Sequence, residues 1–431
     1  KEDYVPRYWV QYVHIVMVVV VSTASSLLAF DAHNHIQLGP SSSISSGLSD
    51  YIWHELKGCL CGMAPMSTHP RDFQPLIDLE KDIMITNAAN KGRNGNDEYN
   101  DNSDGDDNDN RIASNGNSVM KIVPCLGVHP WFLHELQPDD WDMVPSSSSI
   151  SLQQEMLMIP KWVANLEVYL INNPHVVVGE IGLDNFHFDP STKELTTSMD
   201  RQIDAFRYQL RLATKHRRSV SVHCVRAMGK IMDTIIDVAS VNANAYANNH
   251  QDQDHNVDSS SRYTNLLLPP RIYFHAFGGK PSTATQLIRT IEKIKPKKQK
   301  KKYIRNAKNH QDEINSDNSC RDSNRHDDCA DNGDGGDSYS SSSTKVYFGF
   351  APLINFNNKN LSSQPSTKTM EVIREVGIHR LVLETDHEDV LNIKPSMKIG
   401  IDMISNVLDV TPEELIRITN NNVNDLYNIS L

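Results

Sequence analysis

The sequence predicts one (β/α)8 TIM barrel, an α/β fold, interrupted by long low-complexity insertions. Three observations lead there. Short apolar runs of strand length alternate with longer runs of helical period, as in parallel strands joined by helices. Five of the short runs end in a residue that can ligate a metal, and barrel enzymes build their sites at the carboxyl ends of strands. Finally, of 431 residues, the segment before residue 27 and three polar tracts are set apart by composition, and about 300 remain, the size of one barrel domain.

Taken in order, the eight strands are expected at 27–33, 56–63, 122–128, 176–181, 220–224, 272–277, 346–350 and 381–385. Helices fit between them. One over 67–82 has Asp72 as a cap and Phe73, Leu76, Ile77 and Leu79 as its apolar face. Another over 152–172 carries Trp162, Leu166, Tyr169 and Leu170. The clearest covers 199–216, where Ile203, Phe206, Leu210 and Ala213 recur at three- and four-residue spacing and form one buried stripe. Ala284, Leu287 and Ile291 mark a helix over 283–294, and Thr411-Pro412-Glu413-Glu414 reads as a capping box opening a helix through Ile418.

The tracts at about 87–118, 241–261 and 296–343 are rich in Asn, Asp, Ser or Lys and poor in large apolar residues, so they cannot bury a core. They fall in connections between strands, where added length costs little because closure entropy grows only logarithmically. The acidic run 101–110 lacks the Gly and closing Glu of a calcium-binding EF-hand and reads as solvated acid. The lysine cluster 295–302 reads as a solvated linker rather than a nuclear address or a phosphate-binding arm.

A net charge of −12, from 54 acidic and 42 basic residues, excludes a basic coat for nucleic acid over the whole surface but leaves a local pocket open. The six cysteines are Cys59, Cys61, Cys125, Cys224, Cys320 and Cys329, and they suggest no compact disulfide framework. The thiols are expected to be reduced, the protein cytoplasmic or nuclear, and stable membrane association is not expected. The apolar run 15–21, within the 1–26 extension, resembles a targeting segment. Since it flows directly into 27–30, those four residues are assigned to the first strand and the barrel to 27–431.

Phe30 to Ile36 reads F-D-A-H-N-H-I, and His33 and His35, two apart on a strand, project to one side. Alone, such a pair is weak evidence. Glu180, His223, His275 and Asp386 join it from the ends of four later strands. Four imidazoles and two carboxylates suit two divalent ions, Zn or Mn, or Mg with water completing its shell. A carboxylate can bridge two metals and a neutral imidazole cannot, so Glu180 is the expected bridge. One metal is assigned to His33, His35, Glu180 and Asp386, the second to Glu180, His223 and His275. Two ions about 3.5–4 Å apart can generate hydroxide at neutral pH and clamp a phosphate in an in-line displacement. Asp386 can also accept the proton of the attacking water.

Several motifs together resemble the TatD family of metal-dependent hydrolases, within the amidohydrolase superfamily. They are F-D-A-H-N-H at 30–35, G-V-H-P at 127–130, G-E-I-G-L-D at 179–184, V-H-C at 222–224, H-A-F-G-G at 275–279 and E-T-D at 384–386. The helix from Gln202 and N-V-N-D-L-Y from Asn422 are similar too, so the likeness runs from Phe30 to Tyr427 apart from the tracts. The resemblance implies a deoxyribonuclease cutting phosphodiesters, with DNA in the pocket and His129 contacting the substrate phosphate. A histidine fixing the turn before Pro130 is the other reading of His129.

The departures from the family pattern are Val225 where Arg is usual, Lys280 where Ser is usual, and His387-Glu388 after E-T-D. They touch substrate loops rather than ligands. They leave room for a hydrolase of another small ester or amide, or for a barrel serving as a protein-interaction module through its low-complexity inserts.

Overall fold

The computed structural model describes residues 27–36, 47–93, 119–147, 158–249, 266–295, 343–356 and 365–431. The extension 1–26, Cys320, Cys329 and most of the three polar tracts lie outside them. In chain order the strands are β1 Ala29–Asn34, β2 Leu60–Pro65, β3 Lys121–Ile122, β4 Cys125–Leu126, β5 Met143–Pro145, β6 Met158–Pro160, β7 Val177–Asp184, β8 Val220–Val225, β9 Arg271–Phe274, β10 Lys345–Gly349 and β11 Leu381–Val382. The helices are α1 Leu48–Leu56, α2 Phe73–Arg93, α3 Lys161–Asn172, α4 Met199–Lys215, α5 Met228–Asn249, α6 Pro281–Ile291, α7 Pro352–Asn355, α8 Thr367–Val376, α9 Val390–Leu408 and α10 Pro412–Tyr427. Among the described residues no helix is long and apolar enough to cross a membrane.

All strands but the β5–β6 hairpin pair in parallel, β1-β2-β3 in one sheet and β4-β7-β8-β9-β10-β11 in another. Two seams join these sheets into a barrel. At the first, Val123 and Pro124 separate β3 from β4, since proline has no N–H for the ladder. Backbone bonds carry the pairing across: Val123 N donates to Met63 O (2.9 Å), Ser67 N to Cys125 O (2.8 Å) and Val177 N to Pro124 O (3.1 Å). At the second, no ladder runs from β11 to β1, but Ala32 N donates to Leu383 O (2.8 Å), Asp386 N to His33 O (3.0 Å) and His35 N to His387 O (2.9 Å). The buried Asp31 carboxylate clasps the same seam, accepting from Thr385 N (2.9 Å) and Thr385 Oγ1 (2.7 Å).

Strand alternation sends side chains into two cores. Val178, Ile181, Val220, Val222, Ile272, Phe274, Val346 and Phe348 face the helices. Phe30, Ala32, Ala64, Met66, Cys125, Val177, Tyr273 and Tyr347 fill the barrel with Val423, Leu426 and Tyr427 of α10. Tyr427 Oη donates to Ala32 O (2.7 Å), fixing that plug to β1. The stripe predicted on α4 is present, with Phe206, Leu210 and Ala213 buried and Ile203 packed against the core.

Several boundaries differ from expectation. Leu56 ends α1 rather than starting a strand, and Gly58 at φ 76° turns the chain into β2. The third expected strand is two short pieces and the eighth only two residues in ladder. Asp72 is not the N-cap of α2. It closes a capping box with His69 one turn earlier and accepts from Thr68 N, Thr68 Oγ1 and His69 N. The helix opened by Thr411 runs to Tyr427, well past Ile418, and α2 and α5 run to Arg93 and Asn249, into stretches assigned to inserts.

Asn87 shows why the first of those edges moves. Its side chain accepts from Trp53 Nε1 (3.0 Å) and Met120 N (3.2 Å) and donates to Met120 O (2.7 Å), joining α1 and α2 to the lead-in of β3. Asn87→Ala strands these groups and is expected to lower stability by about 1–3 kcal/mol. A urea-unfolding midpoint equal to wild type would show that the joint carries no weight.

Candidate metal centre

Each expected ligand reaches one point at the carboxyl end of the barrel. Glu180 comes from the wholly buried β7, whose approach to its neighbours depends on glycine. At Gly182, paired with His223 and held at φ 149°, a Cβ would run into the His223 backbone. At Gly127 a Cβ would lie 2.8 Å from Ile181 Cγ2 and 3.0 Å from Glu180 O. His33 sits on β1, His223 on β8, and His275 and Asp386 just past β9 and β11.

The two oxygens of Glu180 face different imidazoles. Oε2 lies 3.4 Å from His33 Nε2 and 3.0 Å from His35 Nε2. Oε1 lies 2.8 Å from His223 Nδ1, 2.5 Å from His275 Nε2 and 3.3 Å from His129 Nε2. Asp386 Oδ1 is 3.5 Å from both His33 Nε2 and His35 Nε2. All six expected ligands are thus brought together, and His129 joins them. The ligand atoms form three tight groups: His33, His35 and Glu180; His129, Glu180 and His223; His33, His275 and Asp386. His275 faces Glu180 Oε1 beside His223, and its ring also stacks on His33 with centroids 3.9 Å apart, so it lies between the two halves.

Of the two readings of His129, the structure shows the one that fixes the turn. Its Nδ1 accepts from Trp131 N at 3.2 Å, fixing the turn at Pro130, while Nε2 points at Glu180. That second contact places it among the metal donors, where sequence reasoning had a substrate contact.

Outer partners hold several of these rings. His33 Nδ1 meets Ser221 Oγ at 3.2 Å, and His223 Nε2 meets Asp184 Oδ2 at 3.0 Å. Trp131 Nε1 donates to the same Asp184 oxygen at 2.7 Å. Glu384, buried, accepts from Ala276 N at 2.7 Å and from Tyr273 Oη, and so steadies the strand end that carries His275. Asp31, Asp184, Ser221 and Glu384 were missed as functional residues from sequence. Asp31, Asp184 and Glu384 stand inside the recognised motifs, so carboxylates adjoining ligands were the available signal.

The electrostatics of the cluster are those of groups waiting for a cation. Burial alone would raise the Glu180 carboxyl, yet His275, His129 and His33 together hold it well below the usual carboxylate range. Burial, reinforced by His275, pushes His33 well below an ordinary histidine, and burial takes His129 down to about 4. For His223, the Asp184 and Glu180 carboxylates outweigh burial and raise it to about 9. For His35, Glu180 outweighs burial and raises it to about 8. Burial raises Asp386.

Neither Glu180 oxygen receives a geometrically sound hydrogen bond, although both are fully buried. Leaving a buried carboxylate so is costly. Imidazole nitrogens and carboxylate oxygens are the donors that borderline divalent ions take, so the residues fit a metal.

Residues 54–313 match the family described as TatD related DNase. The chain belongs to the TatD family. That span carries His129, Glu180, His223 and His275, while His33, His35 and Asp386 lie outside it and are supplied by the geometry. The family is one of metal-dependent hydrolases. Among relatives, the Cut9-interacting protein scn1 of Schizosaccharomyces pombe is 23% identical over 193 residues, 37% of this chain and 57% of scn1. The chain therefore spans little more than half the length of that relative. Among solved structures, YJJV, a TatD homologue from Escherichia coli K12, is 15% identical with a TM-score of 0.51, over 93% of this chain and 98% of YJJV. A TatD family hydrolase from Entamoeba histolytica is 12% identical with a TM-score of 0.47, over 94% and 99%. At 15% identity the likeness to YJJV is one of fold.

Two substitutions separate ligand from support. Glu180→Gln removes the charge that both groups share and is expected to leave the purified chain without stoichiometric divalent metal by elemental analysis. Asp184→Asn keeps the fold and should weaken metal affinity about 10- to 100-fold, the usual effect of losing an outer partner. Competition with a fluorescent chelator measures it, and unchanged affinity would remove Asp184 from the site.

Proposed function

We propose that the protein is a divalent-metal-dependent phosphodiesterase acting on DNA. The observation that carries this reading is the division of Glu180, whose two buried oxygens face separate groups of imidazoles. Such a carboxylate suits a pair of cations, the arrangement fitted to displacement at phosphorus. His33, His35, Glu180 and Asp386 would hold one ion, and Glu180, His223, His275 and His129 the other. Bound there, Mg, Mn or Zn would polarise the phosphoryl oxygen and lower the pKa of water.

The chain's own groups supply the rest. Asp386 has a carboxyl raised by burial and stands beside the His33 and His35 nitrogens, placed to take the proton of the attacking water. Its backbone at φ 59° is held by the bond from Asp386 N to His33 O. Burial of His33, Glu180 and His129 keeps bulk water from the floor of the site.

A second reading is a barrel acting as an interaction module. The Schizosaccharomyces pombe relative is named for interacting with Cut9, which favours this reading. The substrate loops also depart from the family pattern at Val225, Lys280, His387 and Glu388. On this reading the polar inserts would carry the protein contacts.

Purified protein with Mg, Mn or Zn is expected to cut single-stranded and nicked DNA, to lose activity in a chelator and regain it with added metal. Glu180→Gln should lower kcat by about a hundredfold or more, as loss of a principal charge in a catalytic centre does. Parallel assays on RNA and small esters define the substrate class. Intact DNA, with metal bound and esters or amides turned over instead, would overturn the DNA assignment, and no turnover of any kind would favour the interaction module.

A further inference from the structure

Beside the metal centre lie aromatic side chains whose rings stay partly open to water. Trp131, Phe186 and Phe188 keep 38%, 51% and 44% of their surfaces exposed. Single exposed rings are common, but here Trp131 is tied through His187 to the segment that carries Phe186 and Phe188. The Trp131 ring lies 5.1 Å from His129 and 6.0 Å from His223, centroid to centroid, so the cluster starts where the metal donors end. His187 stacks on Trp131 at 4.5 Å with planes 15° apart, Phe188 meets Phe186 edge-on at 5.8 Å, and the Arg226 guanidinium lies 3.8 Å over the Phe186 ring.

The rings are held in place. Asp184, which orients His223, also accepts from Phe186 N (2.6 Å), His187 N (3.0 Å) and Trp131 Nε1 (2.7 Å). The loop beyond is braced by a bridge between Phe188 and Leu195 and by Thr196 N donating to His187 O at 3.0 Å. A braced loop that presents aromatic surface to water leaves apolar area for a ligand to cover.

We infer that Trp131, Phe186, Phe188 and Arg226 form a ledge that stacks an unpaired base of the substrate strand next to the phosphate held at Glu180. The inference rests on the phosphodiesterase reading and deepens it. Flat rings with a guanidinium beside them match a nucleotide in both parts, a π face for the base and a cation for the phosphate. A base inside a duplex has its faces covered by neighbours, so the ledge selects strands or frayed ends. A small aliphatic ester has nothing to place there.

Binding of the metal-loaded full chain to a ten-residue thymidylate strand with phosphorothioate linkages tests this, against an abasic strand of equal length and charge and against a blunt duplex. Stacking one base is expected to make the thymidylate Kd about 5- to 150-fold lower than the abasic one, with the duplex binding more weakly than the strand. Phe186→Leu combined with Phe188→Leu should bring the thymidylate Kd to the abasic value, leaving abasic binding and metal content unchanged. Arg226→Gln should weaken both strands alike and reduce the slope of log Kd against log salt by about one. Equal affinity of wild type for thymidylate and abasic strands, or for strand and duplex, overturns the ledge. Base-dependent binding with an ordinary phosphodiester strand left uncut keeps the ledge and overturns the nuclease reading, and cutting with no base dependence does the reverse.

Discussion

A carboxylate with no exposure, surrounded by five imidazoles and lacking any sound hydrogen bond, is the constraint on which the rest depends. Glu180 can stand there only because opposite charge is gathered around it. The neighbours respond in two ways: burial drives His33 and His129 toward the neutral form, while the carboxylates outweigh burial at His35 and His223 and drive them toward the charged one. Divalent metal held by these residues would resolve the conflict, since the imidazoles would offer it lone pairs and the carboxylate its charge. The chemistry of the site and the stability of the barrel's upper end are therefore linked through one residue.

Around that centre the fold repeats a device. Asp31, Asp184 and Glu384 are buried carboxylates one step behind a ligand, and each binds backbone or side-chain donors at a strand end. Asp31 sets the position of Asp386, Asp184 that of His223, and Glu384 that of His275. Buried carboxylates without partners would be destabilising, so their satisfied bonds make ligand placement part of the packing rather than an addition to it.

Much of this was legible in the sequence because strand ends carry the ligands, and motif order and apolar period agree. The six candidate ligands from His33 to Asp386, each weak alone, could be picked out together, and the fold gathers their side chains at one point. What was not legible has physical causes. The third strand is broken by Pro124, and Leu56 belongs to a helix although its apolar surroundings suit a strand. The helix α9 carries Pro395 inside it, a residue that argues against a helix when read locally but is tolerated in a packed one. Asn87 looked like the first residue of a polar tract, yet its partners are a tryptophan and a strand lead-in far away in sequence. The place of His129 among the donors, and the exposed rings of Trp131, Phe186 and Phe188, depend on distances between loops that no local pattern encodes.

The seam between β11 and β1 has a consequence for how the protein is made. His33 is synthesised early and Asp386 late, and the bonds that join them, Ala32 to Leu383, Asp386 to His33 and Asp31 to Thr385, are also those that close the barrel. The plug that Tyr427 ties to Ala32 comes later still. A nascent chain that has not yet reached Asp386 has the histidines of β1 but lacks their distal partner, so the centre is completed only once that late strand has emerged. The gathering of the candidate ligands and the closing of the barrel are thereby one event, joined by the same few backbone bonds.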